Sequence, residues 1–152
     1  MYGPWQQIRA ADVLSSRPNR SRQRTTHNGK YQQNKRTVLV VDDEHLIADT
    51  MREILKRSGF HAIAAYDGQE GLRTALQVTP DVVLTDIVMP QMNGVQLAIA
   101  IRKALPSVDI ILLSGQAGIT DILERATREG YTFDLISKPV HPEKLLQRLR
   151  KG

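Results

Sequence analysis

The chain has 152 residues, no cysteine and a formal charge of +5, a length that suits one domain with a real core. Without cysteine there is no disulfide framework, thiolate metal site or thiol nucleophile. No apolar run approaches the roughly 20 residues of a membrane span, and the opening MYGPWQQIRAADV lacks the apolar core of a secretion signal, so a soluble, cytoplasmic protein is expected.

The positive charge is unevenly spread. Residues 1–36 hold eight Lys or Arg against one acid, Asp12, and so carry +7, leaving −2 on the rest. This segment is poor in apolar residues and rich in Ser, Asn, Gln and Arg. It cannot bury enough surface to offset its ordering entropy, and residues 1–36 are expected to be a disordered basic extension. A solvated extension is the expected role in preference to a nucleic-acid arm. Trp5, Ile8, Val13 and Leu14 allow one short helix within it.

From Thr37 the chain alternates. TVLVVDD (37–43) is a β-branched run ending in acids, as befits a strand buried on both faces. HLIADTMREILKRSG repeats apolar residues at Ile47, Met51, Ile54 and Leu55, and Gly59 is placed to end a helix. HAIAAY (61–66) predicts a second strand, and DGQEGLRTALQ a second helix with Asp67 as N-cap. DVVLTD (81–86) is a third strand, preceded by Thr79-Pro80, which stops the helix before it.

NGVQLAIAIRKAL follows as a third helix, VDIILLS (108–114) as a fourth strand, and ITDILERATREG as a fourth helix closed by Gly130. FDLIS (133–137) is the fifth strand and PEKLLQRLR the last helix, with Pro142 in its first turn. Strictly alternating strands and helices predict one parallel sheet covered on both faces, an α/β fold with right-handed crossovers.

In an open parallel sheet, chemistry collects outside the carboxyl ends of the strands. Those ends carry Asp42 and Asp43, Asp86, Ser114 and Lys138. Singly, each has a structural explanation as a cap or a solvated side chain. Together they do not, because clustered carboxylates repel unless a cation is bound or one is protonated. A hard divalent cation with oxygen ligands resolves the conflict; Mg²⁺ typically uses a couple of carboxylates, waters and a phosphate.

VLVVDDE, LTDIVMPQMNG, LLSG and SKP, in that order and at those strand ends, resemble the receiver domain of two-component response regulators. The resemblance covers residues 37 to about 150 and makes 37–152 one receiver domain. It implies the flavodoxin-like (βα)5 fold, a doubly wound five-stranded sheet in the order 2-1-3-4-5.

By that resemblance Asp86 is the phosphoacceptor, taking a phosphoryl group from a sensor histidine kinase or a histidine phosphotransfer protein. Asp43 and Asp86 would ligate Mg²⁺ directly with the backbone carbonyl of Val88, and Asp42 through water. Ser114 matches the switch hydroxyl, Gly115 leaves room for the phosphoryl group, and Lys138 contacts it, with a cis bond expected at Lys138-Pro139. In DIVMPQMNG, Met89-Pro90 would set the turn that brings the Val88 carbonyl to the metal, and Asn93-Gly94 the entry to the next helix. Val88 and Gln116 occupy positions that tune dephosphorylation in the family.

The resemblance has one departure. The family commonly places Tyr or Phe three residues before the lysine, where this chain has Leu135; Phe133, two residues earlier, shares its side of the strand by alternation. Among the histidines, His45 is expected as an exposed helix-start residue, His61 opens a strand, and His141 caps the final helix. No pair of them has zinc-ligand spacing.

The chain ends just after the last helix, so a stand-alone receiver is expected, one that offers a face to a downstream protein target without turning over a metabolite. In the family, that face comes from the fourth helix, fifth strand and fifth helix. A phosphorylation-dependent homodimer is left open. Two rival readings are a phosphorylation-independent docking module and a receiver-gated nucleic-acid binder acting through residues 1–36. No Walker phosphate loop or dinucleotide fingerprint points to a metabolic enzyme.

Overall fold

The computed structural model describes residues 35–115 and 119–151. The expectations for residues 1–34, including the short helix around Trp5, and for Gln116 lie outside the described residues. Among the described residues five strands alternate with five helices: β1 Thr37–Val41, α1 His45–Arg57, β2 His61–Ala65, α2 Gly68–Val78, β3 Val82–Asp86, α3 Gly94–Ala104, β4 Asp109–Ser114, α4 Thr120–Arg128, β5 Asp134–Ser137 and α5 Pro142–Lys151. All strand pairs are parallel and run in the order β2-β1-β3-β4-β5. Both the flavodoxin-like fold and its strand order are as expected from the sequence.

Two apolar layers explain why β1 reads as a continuous apolar run. Val38 and Val40 pack toward α1 and α5, with Leu55, Leu145 and Leu149. Leu39 and Val41 pack on the opposite face toward α2 and α3, with Leu72, Leu97 and Ile101. Successive strand side chains point to opposite faces, so each must be apolar when both faces are covered. Each fully buried Val or Leu contributes about 1.5–3 kcal/mol relative to exposure.

Local signals end and start the helices as predicted. Gly59, at φ +95, follows α1 in the left-handed region that glycine adopts without strain. The Asp67 carboxylate caps α2 by accepting from the Glu70 N–H at 2.7 Å. Asn93 and Gln96 form a reciprocal capping box at the start of α3.

Segment edges differ by about a residue from the sequence expectation. Arg36, assigned to the N-terminal extension, already accepts the His61 N–H at 2.9 Å through its carbonyl. The fifth strand starts at Asp134 rather than Phe133. Phe133, just before the strand, packs on the α2/α3 layer under the Arg102 guanidinium, 5.5 Å from the ring centroid. As the sheet edge, β5 leaves Leu135 47% exposed. Arg148 on α5 anchors it, donating to both Asp109 at the start of β4 and Asp134 at the start of β5.

Candidate functional site

The parallel order brings the C-terminal ends of β1, β3, β4 and β5 to one edge, and the five side chains predicted from strand ends meet there. Asp42 directly follows β1 and is 1% exposed. Its Oδ1 accepts from the Glu44 N–H at 2.9 Å, which ties the carboxylate to the loop entering α1. Asp43, next in the chain, is half-buried. Asp86 ends β3 and is 9% exposed. One carboxylate oxygen from each of Asp42, Asp43 and Asp86 lies within 4.8 Å of the others.

Among the described residues, Lys138 is the cation facing this cluster. Its N–H donates to the Ser114 carbonyl at 2.7 Å, continuing the β4–β5 ladder by one residue. From there its Nζ reaches Asp86 Oδ2 at 3.2 Å and Asp42 Oδ2 at 3.5 Å. The next peptide bond, Lys138-Pro139, is cis, as the resemblance implies.

Ser114 and Gly115 lie alongside. Asp86 is in register with Leu113, so half-buried Ser114 comes one residue further along the neighbouring strand. A Cβ added at Gly115 would lie 3.1 Å from Lys138 Cδ, so the lysine stem occupies the space a side chain would need.

The loop after β3 is shaped by sterics. Ile87 and Met89 are buried whereas Val88 is 49% exposed. The Gly94 N–H donates to the Ile87 carbonyl at 2.8 Å, folding DIVMPQMNG back on itself. A Cβ at Gly94 would fall 2.0 Å from the Asp86 carbonyl oxygen, so only glycine allows this approach.

The electrostatics follow from burial and charge. Burial pushes the Asp86 carboxyl above the ordinary aspartate range; Lys138 pulls it down and Asp42 pushes it up. Burial also depresses the Lys138 ammonium, but Asp86 and Asp42 outweigh that and hold it above the ordinary lysine value. The pocket therefore holds an ammonium that stays charged beside acids that gain from any further cation. Three close carboxylates with oxygen donors only, facing one lysine, fit a hard divalent ion better than zinc or copper.

Sequence reasoning missed one group at this edge. Val41 is in register with Ala65, which puts Asp42 beside Tyr66 at the end of β2. The Tyr66 ring stacks on His45 with centroids 4.0 Å apart and planes 20° apart. Its hydroxyl donates to Asp49 Oδ1 at 2.6 Å. His45 is exposed, as expected for a helix start, but has this ring as a neighbour. The signal was present: His45 and Asp49 are four residues apart on one helix face, and Tyr66 follows the neighbouring strand.

The model of the response regulator receiver domain family matches residues 38–150. The probable transcriptional regulatory protein TcrX of Mycobacterium tuberculosis is 32% identical over 114 residues, covering 75% of this chain and 48% of the relative. The DNA-binding response regulator MtrA of Mycolicibacterium paratuberculosis is 32% identical over 113 residues, 74% of this chain and 49% of its own length. This chain thus spans about half the length of these curated relatives. Among solved structures, a response regulator receiver domain protein from Clostridium thermocellum superposes with TM-score 0.69 at 31% identity, over 76% of this chain and 92% of that one. The chemotaxis protein CheY4 of Vibrio cholerae gives TM-score 0.68 at 27% identity, over 77% and 98%.

Proposed function

Starting from the response regulator receiver family, to which this chain belongs, we propose that the protein accepts a phosphoryl group on Asp86 from the phosphohistidine of a sensor histidine kinase or phosphotransfer protein. One observation carries the proposal: a single strand edge gathers the Asp86 carboxylate, the Lys138 ammonium 3.2 Å from it, and the Asp42 and Asp43 carboxylates. A nucleophile, a fixed positive charge and an acidic cation pocket are the parts that phosphoryl transfer requires.

Asp86 acts as its carboxylate. One of its oxygens attacks phosphorus, an O–P bond forms and the donor's N–P bond breaks. The electron pair stays with the imidazole nitrogen, which takes up a proton. Lys138 balances negative charge on the phosphoryl oxygens, and its stem packs where Gly115 leaves room. Asp43, Asp86 and the Val88 carbonyl would hold Mg²⁺, with Asp42 acting through water. When bound, Mg²⁺ supplies charge neutralisation and alignment of the phosphoryl oxygens.

After transfer, roughly −1.5 to −2 charges are added at the sheet edge. Ser114 donates its hydroxyl to a phosphoryl oxygen, and the face formed by α4, β5 and α5 shifts between populations with different affinities for a protein target. The protein carries a signal and turns over no metabolite. DNA binding, in the names of relatives about twice as long, is not carried over to this chain. The exposure of Leu135 and the engagement of Phe133 with Arg102 favour a second reading, a docking module that works without phosphorylation.

The test is the intact mass after incubation with acetyl phosphate, with and without Mg²⁺, beside Asp86→Ala. A single phosphoryl adduct that needs both Mg²⁺ and Asp86 is expected. No adduct from acetyl phosphate or from a panel of histidine kinases, while a control receiver is labelled, would give the docking-module reading the field.

A further inference from the structure

We infer that the stacked pair His45 and Tyr66, locked by the hydrogen bond from Tyr66 to Asp49, is a clamp that positions the acidic loop between β1 and α1 and so sets the affinity of the carboxylate pocket for Mg²⁺. The inference rests on reading that pocket as a Mg²⁺ site.

The loop has few restraints of its own. Glu44 occupies the N-cap of α1 without a side-chain cap bond, and the first turn of the helix contains no acid. Within the loop the Glu44 N–H donates to Asp42, and from outside it Lys138 reaches the Asp42 carboxylate at 3.5 Å and the Ala65 carbonyl accepts the Asp42 N–H at 3.1 Å. Meanwhile Asp42, Asp43 and Asp86 crowd within 4.8 Å, and Lys138, 3.2 Å from Asp86 and 3.5 Å from Asp42, offsets only part of their repulsion, which pushes the loop outward until a further cation binds. Something must resist that splaying for the site to be ready for its ion.

The clamp is built to resist it. His45 is two residues beyond Asp43, and Asp49 is one turn further along the same face of α1. Both grip Tyr66, one through ring stacking at 4.0 Å and one through the 2.6 Å hydrogen bond. Tyr66 is itself anchored: its N–H donates to Glu70 Oε2 at 3.0 Å, and its ring packs on the α1/α5 layer. Arg52 lies 3.4 Å from the same Asp49 oxygen and helps to hold that carboxylate in place. The hydrogen bond to Asp49, then burial, raises the Tyr66 hydroxyl above the ordinary tyrosine value, so it stays a donor across the physiological range. The start of α1 is thereby fixed to the end of β2, with the metal-facing loop in between.

Positioning differs from mere stabilisation in what it moves. Isothermal titration of the full chain with MgCl₂ is compared among wild type, Tyr66→Leu, which loses stack and hydrogen bond, and Tyr66→Phe, which keeps the stack. The Mg²⁺ Kd is expected to rise roughly tenfold in Tyr66→Leu and severalfold in Tyr66→Phe, the scale of an aromatic pair and a hydrogen bond lost. Adding His45→Ala to Tyr66→Leu should give little further loss, since both act through one clamp. If the wild type binds Mg²⁺ and both Tyr66 variants bind it equally well, with only their melting temperatures lowered, the clamp is merely structural and the inference is overturned. A wild type that takes up no Mg²⁺ overturns the underlying reading of the pocket instead. Should Tyr66→Leu fail to fold, Tyr66→Phe and His45→Ala decide by the same comparison.

Discussion

The Lys138 ammonium lies 3.2 Å from the Asp86 carboxylate, although 52 residues of chain separate them. The same ammonium is 3.5 Å from Asp42, so it is shared between two acids rather than paired with one. Such sharing leaves the acids short of positive charge and keeps the lysine free to follow whichever anion is stronger.

Replacing Lys138 with Ala should slow Mg²⁺-dependent labelling of Asp86 by acetyl phosphate on the order of 10²-fold, the usual effect of removing one fixed donor from developing charge. Lys138 pulls the Asp86 carboxyl down against burial, so its loss raises that carboxyl further. The acid side of the labelling profile should move to higher pH. Labelled fractions from intact mass across a pH series would show this, and an unmoved acid limb would contradict the assignment.

Asp86→Asn should stabilise the metal-free protein at neutral pH. Burial, partly opposed by Lys138, raises the folded carboxyl above its unfolded value, so ionising it in the folded state costs more than in the unfolded chain. The cost is absent below the unfolded aspartate range and appears as pH rises through the folded value. Thermal melts should therefore show Asn ahead of wild type at pH 7, with the gain fading toward pH 4. Equal melting temperatures at pH 7 would mean that Lys138 fully offsets burial.

Two glycines near the site should separate cleanly. Gly94→Ala drives a Cβ to 2.0 Å from the Asp86 carbonyl, a backbone atom that cannot give way, and should cost about 3 kcal/mol or more along with labelling. At Gly115 the neighbour is a flexible lysine methylene at 3.1 Å. Gly115→Ala should melt within a few degrees of wild type yet label more slowly, because Lys138 is displaced. Parallel melts and labelling rates would check both.

Arg148 joins α5 to the starts of β4 and β5, donating two bonds to Asp109 at 3.0 and 3.1 Å and others to Asp134. The side chains of Arg148 and Asp109 are 30% and 29% exposed, while that of Asp134 is 60% exposed. Arg148→Ala is expected to cost about 1–2 kcal/mol, with Asp109→Asn costing more than Asp134→Asn because solvent screens the latter pair. Added salt should shrink the differences in denaturant unfolding. The Mg²⁺ affinity should be unchanged, as the latch sits at the opposite end of the strands from the pocket.

Much of the site was legible before any coordinates. Asp42, Asp43, Asp86, Ser114 and Lys138 all sit at strand ends because a run such as DVVLTD can be nothing but a doubly covered strand, and parallel order sends all such ends to one edge. His45 was placed as an exposed helix start, which it is, but its stacking on Tyr66 was not seen. The resemblance implies β2 beside β1, but whether the two rings meet depends on how α1 packs on that edge and which way the side chains turn, which no local pattern gives.

By itself the sequence determined the elements, their alternation and the chemistry at their ends, because apolar periodicity and capping residues act over a few neighbours. Only the tertiary structure decided the sharing of Lys138 between two acids, the grip of Tyr66 on α1, and the half-exposed Leu135 on the sheet edge. Each is a contact or an exposure made by residues far apart in the chain, set by how the crossovers pack and invisible to any local pattern.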